Sequence, residues 1–294
     1  MKSGFVAILG RPNVGKSTLI NNIVNHNVSI VTDKSQTTRN NIIGIYNASD
    51  VQIVFLDTPG IHKPKQQLGK EMNNMAYSAA HDVDAAILVV DASKPFGTGD
   101  EFIIEHLDIH NTPLIIVFNK IDLARLNETE ELKKKYREIF PKAVFIDTVA
   151  KEKFNVDEVI KTVVNLLPEG PAYYPVEMVT DKDEIFQIKE IIREKILKSL
   201  REEVPHSIAI YMDHIDWESK PIQILASIIV EKDSQKGIVI GAGGKRIKEI
   251  GSYARNDIER LLGKHVYLEL KVKVDEDWRN EPKSLANYGY KYEK

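Results

Sequence analysis

Five short, nearly uninterrupted apolar runs limit the first half of this chain to one kind of architecture. They are Phe5–Leu9, Gln52–Leu56, Ala85–Asp91, Leu114–Asn119 and Ala143–Asp147. A strand that is apolar at almost every position is buried on both faces, as in a parallel sheet with helices on each side. Helical patterns lie between the runs, at Ser17–Asn25, Glu101–His110 and Glu130–Phe140. This alternation predicts an α/β domain with a mostly parallel sheet over residues 1–168.

The alternation stops near Leu167. Pro168-Glu169-Gly170-Pro171, followed by Tyr173-Tyr174-Pro175, reads as part of a linker over 169–182. Beyond it, Ile185, Ile188, Ile192, Ile196 and Leu200 form one apolar face of a helix over Asp183–Glu203. Strands at Ser207–Met212 and Ile222–Glu231, a short segment at Lys236–Ile240, a glycine loop, a helix at Lys245–Leu262 and a strand at Val266–Val274 follow. The order predicts a smaller α+β domain over 183–280 and a C-terminal tail, 281–294, with no assigned structure. A length of 294 residues suits two domains, each with its own core.

The chain has no cysteine, which excludes disulfides, thiolate metal sites and cysteine nucleophiles. No stretch approaches the ~20 apolar residues of a membrane span. Gly10-Arg11-Pro12-Asn13 interrupts the N-terminal apolar run too early for a signal peptide. A cytoplasmic protein is expected. The net charge is −3, so any grip on nucleic acid has to come from a local basic surface.

Gly10-Arg11-Pro12-Asn13-Val14-Gly15-Lys16-Ser17 fits G-x-x-x-x-G-K-[ST], after a predicted strand and before a predicted helix. Such a loop aims consecutive backbone N–H groups at an anion, and the helix N-terminus adds to the field. Lys16 would reach the β- and γ-phosphates, and the Ser17 hydroxyl would hold Mg²⁺, with Thr18 beside it. Asp57-Thr58-Pro59-Gly60 closes the second buried run, which places Asp57 to hold Mg²⁺ through water and the Gly60 amide to meet a γ-phosphate. The polar stretch Ser35-Gln36-Thr37-Thr38-Arg39 offers a threonine for Mg²⁺ in the triphosphate state, Thr38 in preference to Thr37.

Asn119-Lys120-Ile121-Asp122 ends another apolar run. The Asp122 carboxylate would accept from guanine N1–H and the 2-amino group. Adenine lacks both donors and would leave the charge unpaired. Asn119 would steady the loop and face N7 or O6, and the Lys120 stem would lie over the purine. GTP/GDP and Mg²⁺ are therefore the expected ligands, with Lys16, Thr38 and Gly60 as the candidate catalytic residues.

In the second half, Gly241-Ala242-Gly243-Gly244 fits the G-x-x-G loop with which KH modules clamp the backbone of single-stranded nucleotides. Lys236, Lys245, Arg246 and Lys248 supply positive charge around it.

Taken together, GRPNVGKST, SQTTRN, LDTPGIHKP and NKID resemble the motifs of translation-factor-related GTPases, and among them the Era family of bacterial ribosome-assembly GTPases. SQKGIVIG, VYLEL and DWR are similar to the KH domain of that family, so the resemblance covers nearly the whole chain. It implies a P-loop GTPase domain followed by a type II KH domain. It also implies GTP-dependent binding to the 3′ end of small-subunit ribosomal RNA and a role in small-subunit assembly. A monomer is expected, and family analogy adds a peripheral seat on the inner face of the cell membrane.

The family motif places Ile61 where Ras-like enzymes have a water-orienting glutamine, so slow intrinsic hydrolysis is expected, aided by a partner or a monovalent cation. Asn13 matches the asparagine that binds K⁺ in some relatives. Thr148-Val149-Ala150-Lys151 stands at the fifth GTPase motif, with Val149 in place of serine and the Ala150 amide toward guanine O6. Two further departures are Ala242, where the family often has lysine, and Lys271, where it often has tryptophan. A scaffold that binds RNA constitutively and turns over little GTP is the alternative reading. A tRNA-modification GTPase would need a modification domain and, typically, a C-terminal cysteine, and the chain has neither.

Overall fold

The computed structural model describes residues 1–34, 36–107, 112–200 and 204–291. They form two compact units, and the chain passes from the first to the second between Asp181 and Lys182.

The first unit is built from β1 (Lys2–Gly10), α1 (Lys16–Val24), β2 (Ile42–Ala48), β3 (Val51–Asp57), α2 (Gln67–Ala79), β4 (Ala85–Asp91), α3 (Thr98–His106), β5 (Leu114–Asn119), α4 (Leu126–Ile139), β6 (Val144–Thr148) and α5 (Val156–Leu166). The strand order is β2-β3-β1-β4-β5-β6, and only the β2–β3 pair is antiparallel. The continuous apolar run of β1 divides between two cores. Val6 and Ile8 pack with Leu19, Ile20 and Val163 on one face. Ala7 and Leu9 pack with Ala76, Ile103 and Leu132 on the other. Side chains alternate across a strand, so burial on both faces requires an apolar residue at every position.

β2, α2 and α5 are elements that the sequence reading did not assign. β2 is an edge strand with a mixed burial pattern, so it lacks the uniform apolarity of its neighbours. In α2 the buried residues Met72, Met75, Ala76 and Ala79 recur at helical spacing. Gly69, Asn73 and Asn74 dilute the signal. α5 buries Val156, Val159 and Val163 along one face. α3 begins at Thr98, ahead of the expected Glu101, and the expected end at 108–110 lies outside the described residues.

The expected linker is strapped along the first unit up to Asp181. Buried Gln52 accepts from the amides of Tyr173 (2.6 Å) and Tyr174 (3.0 Å) and donates to the Tyr174 carbonyl (2.8 Å). Ile45 N–H donates to Val179 O at 2.9 Å. Prolines stiffen this stretch, and a buried glutamine fastens it.

The second unit contains α6 (Glu184–Ser199), β7 (Ala209–Asp216), β8 (Ile222–Val230), α7 (Asp233–Ile240), α8 (Lys245–Leu262), β9 (Val266–Val274) and α9 (Pro282–Tyr288). Its sheet runs β7-β8-β9, antiparallel then parallel. Asp183 caps α6, its Oδ1 accepting from Phe186 N–H at 2.7 Å. The 201–203 part of the expected helix lies outside the described residues. Ile188, Ile192 and Ile196 meet Ile224 and Ile228 of β8 and Ile250, Ala254 and Ile258 of α8 in one core.

The chain after β9 is ordered around Trp278. This side chain is fully buried, donates Nε1–H to Ser207 O at 2.9 Å and meets the Tyr288 ring edge-on at 5.5 Å. Trp278→Ala is expected to destabilise this unit by about 3–5 kcal/mol, the usual cost of emptying a buried tryptophan site. A loss below about 1 kcal/mol in a denaturant melt would show that the aromatic cluster does not hold the C-terminal segment.

Candidate nucleotide and nucleic-acid sites

The candidate nucleotide residues gather at one edge of the first sheet. β1, β3, β4, β5 and β6 end at Gly10, Asp57, Asp91, Asn119 and Thr148, and ligands of open α/β sheets bind at the carboxyl ends of strands. The loop after β1 reaches α1 through Asn13 at φ 63° and Gly15 at φ 104°. Both angles lie in the left-handed region. At Gly15 an added Cβ would also strike the Asn119 amide nitrogen, so only glycine fits there.

Lys16 is buried, and its Nζ donates to the carbonyls of Gly10 (3.1 Å) and Arg11 (2.9 Å). Burial lowers its pKa to about 8, against the opposing pull of the Asp57 charge. A poorly solvated ammonium beside a ring of loop amides is suited to phosphate oxygens.

Ser17, Thr38 and Asp57 form one cluster. Ser17 Oγ is 2.9 Å from Thr38 Oγ1 and donates to Asp57 Oδ2 at 2.7 Å, while Thr38 Oγ1 lies 3.5 Å from the same oxygen. Ser29 Oγ also donates to it at 2.7 Å, a contribution the sequence did not reveal. Asp57 is fully buried, and burial raises its pKa against the pull of Lys16 and the three hydroxyls. Its Oδ1 is buried with no hydrogen-bond partner. An orphaned carboxylate oxygen beside two hydroxyls fits a hard divalent cation such as Mg²⁺, with phosphate and water oxygens completing its shell. Ser35 of the same polar stretch lies outside the described residues.

The base-reading residues are held by the loop after β5. Asn119 Nδ2 donates to Val14 O at 2.8 Å, and its Oδ1 accepts from Ala150 N–H at 2.8 Å and from Thr148 Oγ1 at 3.2 Å. Asn119 thus joins the phosphate loop to the 148–150 loop. The Ala150 N–H, expected toward guanine O6, donates to Asn119 Oδ1 in this structure. Val149 withholds the serine hydroxyl usual in the fifth motif, and Thr148 and Asn119 supply support there. Lys120, at φ 64°, stretches its Nζ to Asn13 O and Asp91 Oδ2, both at 2.7 Å. Burial would raise the Asp91 pKa, but Lys120 and Ser93 outweigh it and hold the carboxyl below its ordinary range. Asp122 follows on the exposed side of the same loop.

The other five expected contact residues are placed as follows. Thr58 is buried and donates Oγ1–H to Ile8 O at 2.7 Å, a strand-to-loop tie. Ile61 turns its side chain into the core, and its N–H donates to Gly10 O at 3.1 Å. Both groups bond within the protein. Thr18 lies half-buried in the first turn of α1. Pro59 and Gly60 are buried, and Gly60 lies against Pro12 of the phosphate loop.

In the second unit Gly241, Ala242, Gly243 and Gly244 join α7 to α8, with Ala242 and Gly243 exposed. Gly243 and Gly244 stand at φ 57° and 76° with open space where a Cβ would go, so glycine is needed there for backbone conformation. Arg246 Nη1 donates to Ile238 O, which makes it a clamp across the loop as well as a positive charge. Lys245 is exposed at the start of α8, and Lys236 is half-buried on α7.

Next to this loop runs a groove of about 490 Å³, walled by Ile247, Lys248, Gly251, Ser252 and Arg255 of α8 and by Tyr267, Leu268, Glu269 and Leu270 of β9. An apolar floor between two basic residues suits single-stranded bases with phosphates at the rim. The groove combines residues remote in sequence, and no local motif announced it. Lys271 is exposed on β9 and pairs with Glu269 at 3.2 Å. In place of tryptophan it changes a surface and leaves the core intact.

Residues 5–120 match the family described as 50S ribosome-binding GTPase, and residues 203–279 match the KH domain family. Among solved structures the chain is similar to Era in complex with MgGDPNP and nucleotides 1506–1542 of 16S ribosomal RNA. The identity is 39% and the TM-score 0.93, over 99% of this chain and 100% of that one. It is also similar to a point variant of Aquifex aeolicus Era bound to GDP and tetrafluoroaluminate, at 40% identity and a TM-score of 0.92, over 99% of this chain and 100% of that one. With such identity along the whole length of both chains, and with a phosphate loop, a hydroxyl–carboxylate cluster and a G-x-x-G loop in place, this chain belongs to the Era family of GTPases.

Proposed function

We propose that this chain is a GTP-hydrolysing switch that binds the 3′ end of small-subunit ribosomal RNA and assists assembly of the small ribosomal subunit. One observation carries the proposal: a single chain joins a phosphate- and magnesium-type site to a G-x-x-G groove, and it matches, end to end, Era in complex with MgGDPNP and 16S ribosomal RNA. Lys16 and the loop amides from Gly10 to Ser17 would hold the phosphates. Ser17, Thr38 and Asp57 would hold Mg²⁺, which when bound neutralises charge on the phosphates. Asp122 would select guanine, and Asn119 with Lys120 would hold the loop that presents it. Asn13 is the candidate K⁺ ligand. Gly241 to Gly244, with Lys236, Lys245 and Arg246, would grip the RNA backbone.

Among the described residues no helix is long and apolar enough to cross a membrane. A cytoplasmic location is proposed on the strength of the ribosomal target.

The test is fluorescence anisotropy of a labelled strand matching the rRNA 3′ end, with GTP analogue, GDP or no nucleotide, beside a scrambled strand. Tighter, sequence-selective binding with the GTP analogue is the expected result, and no selective binding would remove the rRNA assignment. In the same assay Gly244→Asp is expected to weaken binding about tenfold or more. It puts a side chain at φ 76° and a negative charge against phosphate. Unchanged affinity would place the RNA elsewhere. The burial of Ile61 favours a second reading, a scaffold with little turnover, because that position carries no water-orienting side chain. Multiple-turnover hydrolysis with and without RNA separates the two.

A further inference from the structure

Ile61 and His62 follow the Asp57–Gly60 turn and differ in what their side chains meet. The Ile61 side chain is fully buried in the core. The His62 imidazole is half-buried and meets Gln36, on the loop that carries Thr38. Its Nδ1 is 2.9 Å from Gly60 O. A carbonyl oxygen only accepts, so Nδ1 carries the hydrogen. Nε2 is then an acceptor, and the Gln36 side-chain amide nitrogen, a donor, stands 3.0 Å from it. One neutral tautomer satisfies both bonds.

The His62 main chain is fixed separately. Its N–H lies 3.4 Å from Asn73 Oδ1, and its carbonyl accepts from Asn73 Nδ2 at 2.8 Å. Asn73 is itself buried on α2. The ring is therefore a strut, rooted in α2, between Gln36 and Gly60. Gln36 precedes Thr38 by two residues, and the Thr38 hydroxyl belongs to the Ser17–Asp57 cluster.

We propose that His62 is a positioning residue for GTP hydrolysis. It ties the Gln36–Thr38 loop to the Gly60 turn, so that Thr38 and Gly60 take up their places together. The proposal rests on the reading of Thr38 and Gly60 as groups that engage the triphosphate. His62 does not touch the reacting atoms; it supplies, through two loops, part of the order that the position of Ile61 withholds.

The test uses the full chain with Mg²⁺ and GTP. His62→Ala, Gln36→Ala, the double variant and His62→Gln are compared for kcat and KM, with labelled-GDP affinity as a check on folding. Each alanine variant is expected to lower kcat about tenfold, with KM changed by less than about twofold. The double variant should be no slower than the slower single one, because both remove the same strut. His62→Gln, which keeps one donor and one acceptor, should recover most of the rate.

Unchanged kcat in His62→Ala would overturn the strut while leaving the GTPase reading intact. So would a Gln36→Ala rate equal to that of the unaltered chain, which would mean that His62 acts alone. Multiplying losses in the double variant would overturn it as well. No turnover by the unaltered chain would overturn the strut and the GTPase reading together.

Discussion

Lys16→Met is expected to reduce GTP turnover about 10²–10³-fold, the usual cost of removing one preorganised charge donor from a transition state. The thioether keeps most of the stem and its packing, so the change isolates the ammonium. That ammonium is buried, bonded to Gly10 O and Arg11 O, and poised by burial at a pKa of about 8. Poor solvation is what makes it effective, since charge developing on phosphate oxygens meets a cation that water does not already satisfy. The variant also takes a donor from the Arg11 carbonyl, while Gly10 O keeps the Ile61 N–H, so somewhat weaker nucleotide binding should accompany the slower step. Single-turnover hydrolysis at saturating GTP, beside a labelled-GDP titration, separates the two effects. A rate within tenfold of the unaltered chain would remove Lys16 from the transition state.

How far the sequence carried this reading depends on how local each signal is. The phosphate loop is contiguous, and its strand-loop-helix setting is written in the flanking residues. The same holds for the strands of the first sheet, whose burial on both faces makes them apolar throughout. β2 and α2 were not legible, because an edge strand and a glycine- and asparagine-containing helix carry mixed patterns. Within the site the sequence named the residues better than their partners. Thr58 and Ile61 stand in a motif that suggests ligand contact, but which way each side chain points is set by Ile8 and the core. Ser29 on Asp57 and Gln36 on His62 are contacts between segments far apart in the chain, and no spacing rule encodes them. The groove beside the G-x-x-G loop is likewise a product of α8 meeting β9.

Asp122→Asn is expected to lower GTP affinity about 10³-fold and to transfer preference to xanthosine triphosphate. The carboxylate accepts from both guanine donors, N1–H and the 2-amino group, and hydrogen bonds to a charged group contribute about 1.5–3 kcal/mol each. Asparagine offers one oxygen and an N–H₂ group, so one guanine donor faces another donor. Xanthine carries an oxygen where guanine carries the 2-amino group, and the new N–H₂ finds an acceptor there. Discrimination built on paired donors and acceptors is steep, because the wrong base leaves a polar group unmatched. Asp122 is exposed, so the substitution leaves the core untouched. Its loop is held from elsewhere, by Lys120 on Asn13 and Asp91 and by Asn119 on Val14 and Ala150. Competition of GDP and xanthosine diphosphate against a labelled nucleotide reads the outcome. Reversal of preference would assign base selection to Asp122. Equal loss for both bases would make it a support of the loop, and unchanged GDP binding would move base recognition to another part of the site.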